Sequence, residues 1–274
     1  MNEYLRIVWW SILAGAVLLA AAIAGPAIRS DAVTIGASGG PEADLMSRNI
    51  GHQLPTHRYG QLAGTPITNA HYVNISFGDW ASIRSQDSNI RRWARALRDT
   101  HTTRLVSLDH EPMTDLGDGT PEQYKEAARY IVNLFRAEGA TNVRIVWAVT
   151  WVSIRNGVHG VHAYYPGRRW VDYVSSNVFN RPSVHGWQSF PELAAPLLEL
   201  GERYGKRVVV SEWASDASPN RAHWIGVAGN YMHRHRAAFA AAYYFPGRYV
   251  RFDFALSTAA EYAAMRTLVG KVTP

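Results

Sequence analysis

The sequence predicts an α/β fold, a single (β/α)8 TIM barrel preceded by an N-terminal hydrophobic helix. Three observations carry that expectation. Short apolar runs alternate with amphipathic helical patterns over about 245 residues. The runs show little in/out alternation, as expected of a parallel sheet covered by helices. No GxGxxG follows the first candidate strand; "IGASGGPEADL" (35–45) is merely glycine-rich, which disfavours an open dinucleotide-binding sheet.

In chain order, the first thirty residues stand apart. From Ile7 to Ile28 there are 22 residues without a charge, with Arg6 just before them. Such a run is long enough to cross a bilayer, and Ala22-Ile23-Ala24 also suits a signal-peptide cleavage site. Residues 1–30 are therefore read as a signal peptide or membrane anchor, and an extracellular or cell-envelope location is expected for the remainder. Residues 31–274 are read as one catalytic barrel, since no linker or long charge run interrupts them.

Strands are expected at "HYVNISF" (71–77), "TRLVSL" (103–108), "VRIVWAVTW" (143–151), "WVDYVSSNVF" (170–179), "RVVVSEW" (207–213) and "AAFAAAYYF" (237–245). Between them, "TPEQYKEAARYIVNLFRAEG" has Thr120 as N-cap, Pro121 in the first turn and Gln123 to close a capping box. Tyr124, Ala127, Ala128, Ile131, Leu134 and Phe135 form its apolar stripe, and Gly139 ends it. "SNIRRWARALRD" repeats the design, with Ile90, Trp93, Ala94 and Leu97 inward. "FPELAAPLLELGERYG" (190–205) is a third helix, broken by Pro196.

The formal charge is +6 and the pI about 9.6, but the 28 basic residues are scattered. No basic block interleaved with aromatics suggests nucleic acid, so the basicity is read as solvated surface. The chain has no cysteine. A lipidated cysteine anchor and disulfide staples are thereby excluded.

Candidate chemistry lies at the strand ends, which converge on one mouth in a barrel. "LDHEP" ends one strand and "VSEWAS" (210–215) another, so Glu111 and Glu212 would face each other. Two carboxylates across a groove are the equipment of glycoside hydrolysis, and a retaining enzyme sets them roughly 5–5.5 Å apart. Ten tryptophans are available for sugar stacking. Trp9 and Trp10 belong to the apolar segment, and Trp93 and Trp147 fall on core patterns. Trp151 and Trp213 are the candidates for lining the groove. His233 and His235 precede the last strand and are expected on the opposite face, with no metal. "HGVH" (159–162) is a loop that could contact substrate.

From about Asn74 to Phe245 the sequence resembles glycoside hydrolase family 26, the β-mannanase-like family of a clan sharing the (β/α)8 barrel. "ISFGDWASIRSQDSNIRRWARAL" is similar to its third strand and following helix. "LDHEPM" is similar to its His-Glu acid/base motif on strand four. "YYPGRRWVDYVSSNVF" resembles its Tyr-Pro-Gly run entering strand six, and "GKRVVVSEW" its nucleophile strand. The resemblance implies Glu111 as general acid/base, Glu212 as nucleophile, and His110 as a residue orienting nucleophile and sugar.

The resemblance is incomplete. The arginine common four residues before the acid/base is Ser107, and the family's aspartate and tyrosine on strand six fall on Asn177 and Phe179. That tyrosine hydroxyl normally contacts the nucleophile. The tryptophan-rich run after the acid/base is replaced by "MTDLGDG". The expectation is an exported, monomeric, retaining endo-β-glycanase acting on mannan, xylan or β-glucan, with substrate contacts from His110, Trp151, Asn177, Phe179 and Trp213 and no cofactor. A glycanase that transfers instead of hydrolysing would use the same residues. A glycan-binding or polysaccharide-export accessory protein with a degenerate site is the alternative.

Overall fold

In the computed structural model, which describes residues 32–114, 118–249 and 251–273, eight parallel strands close into a barrel in sequence order. They are β1 (Thr34–Ser38), β2 (Thr56–Gln61), β3 (Tyr72–Ser76), β4 (Arg104–Leu108), β5 (Val143–Val149), β6 (Tyr173–Asn180), β7 (Arg207–Ser215) and β8 (Phe239–Tyr244). β8 pairs with β1 to complete the ring. The predicted apolar segment at residues 7–28 lies outside the described residues. Among the described residues no helix is long and apolar enough to cross a membrane.

All six predicted strands are present; four are trimmed, whereas β6 starts later and runs on to Asn180 and β7 runs on to Ser215. The run 143–151 stops at Val149, because Thr150 caps a short helix beginning at Trp151. The α-helices among the described residues are α1 (Pro41–Ile50), α2 (Asp87–Arg98), α3 (Pro121–Ala137), α4 (Trp151–Asn156), α5 (Pro182–His185), α6 (Phe190–Tyr204), α7 (Arg221–Arg234) and α8 (Ala259–Val272), of which α2, α3 and α6 are the ones expected from the sequence. Thr120 and Gln123 form the expected capping box of α3, and Ser189 with Glu192 forms a second one on α6.

Two strands, β1 and β2, went unpredicted. β1 is "TIGAS", and its glycine has a packing reason. A Cβ on Gly36 would lie 2.4 Å from both the Tyr243 ring and the Pro55 carbonyl oxygen. β2 is "THRYGQ", polar throughout.

The side chains explain that polarity. Tyr72, Leu105, Val146, Val209, Ala241 and Tyr243 fill the lower interior of the barrel. One pleat further along the strands, inward positions carry His57, Asn74, Ser107, Ser175 and Ser211, all buried. Ser107 donates to Asn74 Oδ1 at 2.9 Å, and the His57 ring stacks on Tyr72 at 4.2 Å. The barrel is thus apolar at its base and polar beneath its mouth, whereas the outer faces of the strands stay apolar against the helices.

After β8 a short hairpin, β9 (Arg248–Tyr249) with β10 (Phe252–Asp253), borders the mouth. Arg221 anchors it from α7. The guanidinium donates to the carbonyls of Asp253 and Ala255 and to the Glu261 carboxylate at 2.8 Å, with both side chains almost fully buried.

Candidate active site at the barrel mouth

The end of β4 presents Glu111 through an unusual backbone. Asp109 and Glu111 have φ of 50° and 61°, the left-handed region that L-residues rarely adopt. Asp109 fixes this turn by accepting from Phe77 N at 2.9 Å and Trp80 Nε1 at 2.6 Å. The amide of Glu111 donates to Ala148 O on β5, and Thr114 bonds back to Glu111 O. Asn177, inward-facing on β6, donates to Glu111 Oε1 at 2.6 Å. His110 Nε2 lies 3.6 Å from the same oxygen. Burial holds His110 down at about 4, so the imidazole is neutral.

The end of β7 presents Glu212 through a bulge. Register runs from Ser176↔Val210 to Val178↔Trp213, so Ser211 and Glu212 together oppose Asn177 alone. The same irregularity appears against β8, between Val210 and Trp213. An extra residue reverses strand parity beyond it. Val209 faces the interior and Val210 the helices; past the bulge Glu212 faces the mouth and Trp213 the helices.

This corrects the reading of Trp213 as a substrate contact. Its indole is fully buried, packed on Phe190, Trp224 and Tyr244. Trp151, by contrast, lines a groove of about 440 Å³ together with Glu111, Asn177 and Phe179. Glu212, 8% exposed, is not among the groove's lining residues and sits deeper. His162 is tied to Tyr204 Oη and Arg203 at the far end of α6, away from the mouth, which corrects the idea of a substrate contact from that histidine of "HGVH". His233 contacts Lys271 O near the end of α7.

Two strands that the sequence reading missed hold Glu212. Ser38 on β1 donates to Oε1 at 2.7 Å, and Tyr59 on β2 donates to the same oxygen at 2.9 Å. Ser38 Oγ also lies 3.2 Å from His57 Nδ1. The single Ser38 proton goes to Glu212, so a neutral His57 would donate to Ser38 through Nδ1–H. Burial and the neighbouring His110 keep His57 well below its ordinary pKa. The phenol hydroxyl that reaches Glu212 thus comes from Tyr59 on β2, not from Phe179 on β6. A signal was available in "HRY", where His57 and Tyr59 alternate about Arg58, but without apolar neighbours it did not read as a strand.

Burial pushes the Glu212 carboxyl up, and the hydrogen bonds from Ser38 and Tyr59 and the charge of Arg181 oppose it. Removing one donor tips this balance. Tyr59→Phe is expected to raise the Glu212 pKa further, because the lost bond favoured the ionised form. If Glu212 works as the carboxylate, the acid limb of kcat/KM moves to higher pH. A hydrogen bond to a charged group contributes about 1.5–3 kcal/mol, so the shift should be about 1–2 pH units. An unmoved acid limb would show that Tyr59 does not tune Glu212.

The two acids belong to one network. The Tyr59 ring meets His110 edge-on at 5.6 Å, and His110 adjoins Glu111. Tyr59 and Arg181 each feel the charge of both carboxylates. Arg181 brings a cation to a mouth whose strand four carries the neutral Ser107. Among the described residues no group of three or more His, Cys, Asp or Glu is arranged to hold a metal ion.

A closed parallel barrel with carboxylates at the ends of β4 and β7 has the layout of the glycosidase clan that the sequence resembles. The likeness to family 26 holds in the fold. The chain superposes on the GH26 β-mannanase from Bacteroides ovatus with a TM-score of 0.60 at 12% identity, covering 88% of this chain and 89% of that one. The modular endo-β-1,4-mannanase from Cellulomonas fimi gives 0.59 at 13% identity, over 88% and 71%. XacCel5A gives 0.61 at 11% identity, over 86% and 98%. In sequence, 116 residues are 35% identical to Endoglucanase H of Acetivibrio thermocellus, covering 40% of this chain and 13% of that protein. The chain thus spans a small part of that relative's length. No family model matches the chain.

Proposed function

We propose that the protein is a glycoside hydrolase, a retaining endo-β-glycanase of the family 26 type, with Glu212 as nucleophile and Glu111 as acid/base. The observation that carries this reading is that both carboxylates stand at one barrel mouth, Glu212 hydrogen-bonded by Ser38 and Tyr59 and Glu111 by Asn177, with the His110 ring lying between Tyr59 and Glu111. Ser38 and Tyr59 hold Oε1 of Glu212, which leaves Oε2 to attack the anomeric carbon. As that bond forms, the glycosidic bond breaks and Glu111 gives its proton to the leaving oxygen. Glu111 then takes a proton from water, which attacks the glycosyl-enzyme and releases Glu212.

The surroundings suit an internal cut in a chain. Tyr59 and Tyr249 are about half exposed, and both feel the charge of Glu212. Trp151 and Val152 line the groove beside Glu111. Apolar ring faces therefore occur on both sides of the acids, where successive pyranoses could stack. The endoglucanase likeness in sequence and the mannanase likeness in fold support a β-linked polysaccharide as substrate. We read the protein as a monomer whose residues 7–28 direct it to the cell envelope or outside.

A panel of β-mannan, xylan, β-glucan and cellulose, assayed on the full chain by release of reducing ends, tests the reading. Turnover of at least one of them, lost in a Glu111 variant, is expected. Saturable binding without turnover on any would favour a glycan-binding protein instead.

A further inference from the structure

Arg181 holds a place in the groove that the mechanism above does not use. It follows the last residue of β6 and lines the groove with Glu111. Its guanidinium lies 4.7 Å from the centre of the Phe179 ring and 5.1 Å from that of Phe252. Two aromatic faces thus fix its plane. Its Nε is buried without a partner, and among the described residues it forms no ion pair. The nearby carboxylates are engaged elsewhere: Glu212 Oε1 by Ser38 and Tyr59, Glu111 Oε1 by Asn177.

Among the described residues, Glu111 is the sole carboxylate lining the groove, alongside Arg181 and His185. Arg155 adds a further cation, over the Trp151 ring at 4.7 Å. An acid/base holds its proton before the first step; the described residues that line the groove then carry no negative charge, and Glu212 lies deeper. A planar guanidinium held at a fixed angle matches two coplanar oxygens, the geometry of a carboxylate.

We propose that Arg181 selects an acidic substrate: the groove beside Glu111 takes a β-glycan carrying hexuronate units, whose carboxylate pairs with the guanidinium. This rests on the glycanase reading and names the substrate class for it. The competing role for Arg181 is to balance the charges of Glu111 and Glu212, which would affect neutral and acidic glycans alike.

The test compares one β-glycan with the same glycan oxidised at C6 to carry carboxylates, on the full chain, as the ratio of their kcat/KM values. Wild type is expected to prefer the oxidised form by about tenfold or more at low salt, the scale of a charge-assisted hydrogen bond. Added salt should shrink the preference. Arg181→Gln should bring the ratio to about one whatever its absolute rate, and Arg181→Lys should restore part of it. A wild-type ratio of one or below overturns the proposal, as does a ratio that Arg181→Gln leaves intact. Should neither glycan be cleaved, calorimetric binding of the two forms decides separately. Tighter binding of the oxidised form, lost in Arg181→Gln, keeps the Arg181 assignment while the glycanase reading fails; equal binding overturns both.

Discussion

Glu212→Ala is expected to abolish turnover on every β-glycan, by a factor on the order of 10⁴ or more, because no glycosyl-enzyme can form. The loss should not depend on the leaving group. Glycan binding should persist, since Glu212 lies below the groove and its removal leaves the lining residues in place. Ser38 and Tyr59 would each lose an acceptor, so Glu212→Gln is the companion variant that retains one. Rates on an aryl glycoside and a polysaccharide, with binding by calorimetry, check the expectation. Undiminished turnover would remove Glu212 from the mechanism.

Glu111→Ala should behave differently, and the contrast identifies the acid/base. An aryl glycoside with a good leaving group needs little protonation, so formation of its glycosyl-enzyme survives. A natural glycan needs that proton, and its turnover should fall by about 10²–10⁴, the range of general acid–base catalysis. Azide should then accelerate release of the glycosyl-enzyme, since it attacks without a general base. A burst of aryl leaving group followed by azide-dependent turnover is the expected signature. Equal losses on both substrates, with no azide effect, would exclude Glu111 as the acid/base.

The parts of this molecule that sequence made legible are those whose neighbours in sequence are also their reason for folding. β3 to β8 read as apolar runs because their outer faces pack on helices, and α3 carries its cap and stripe within twenty residues. β1 and β2 gave no such signal. Gly36 is shaped by Tyr243, and His57 and Tyr59 by the polar interior and Glu212, all distant in sequence. The supports of the candidate nucleophile were therefore missed although the candidate itself was found. Trp213 illustrates the same limit. Counting alternate residues from Val209 points it inward, and only the bulge at Ser211–Glu212 turns it toward Phe190 and Trp224.

The left-handed backbone at Glu111 sets the interests of the fold against those of the chemistry. Glycine is the residue that conformation favours, and a side chain there costs on the order of 1 kcal/mol. Glu111→Gly is therefore expected to melt a few degrees above Glu111→Ala, although both lose the Asn177 hydrogen bond and the acid. Thermal unfolding of the two variants checks this, and an equal or lower melting temperature for the glycine form would show the turn to be unstrained. The consequence reaches beyond one experiment. Drift of this position toward glycine would relieve the backbone at the cost of the Asn177 hydrogen bond and, on the proposed assignment, of the acid. If Glu111 is the acid/base we propose, a glutamate that persists there is held by its work, and its replacement by glycine in a descendant would mark an activity given up.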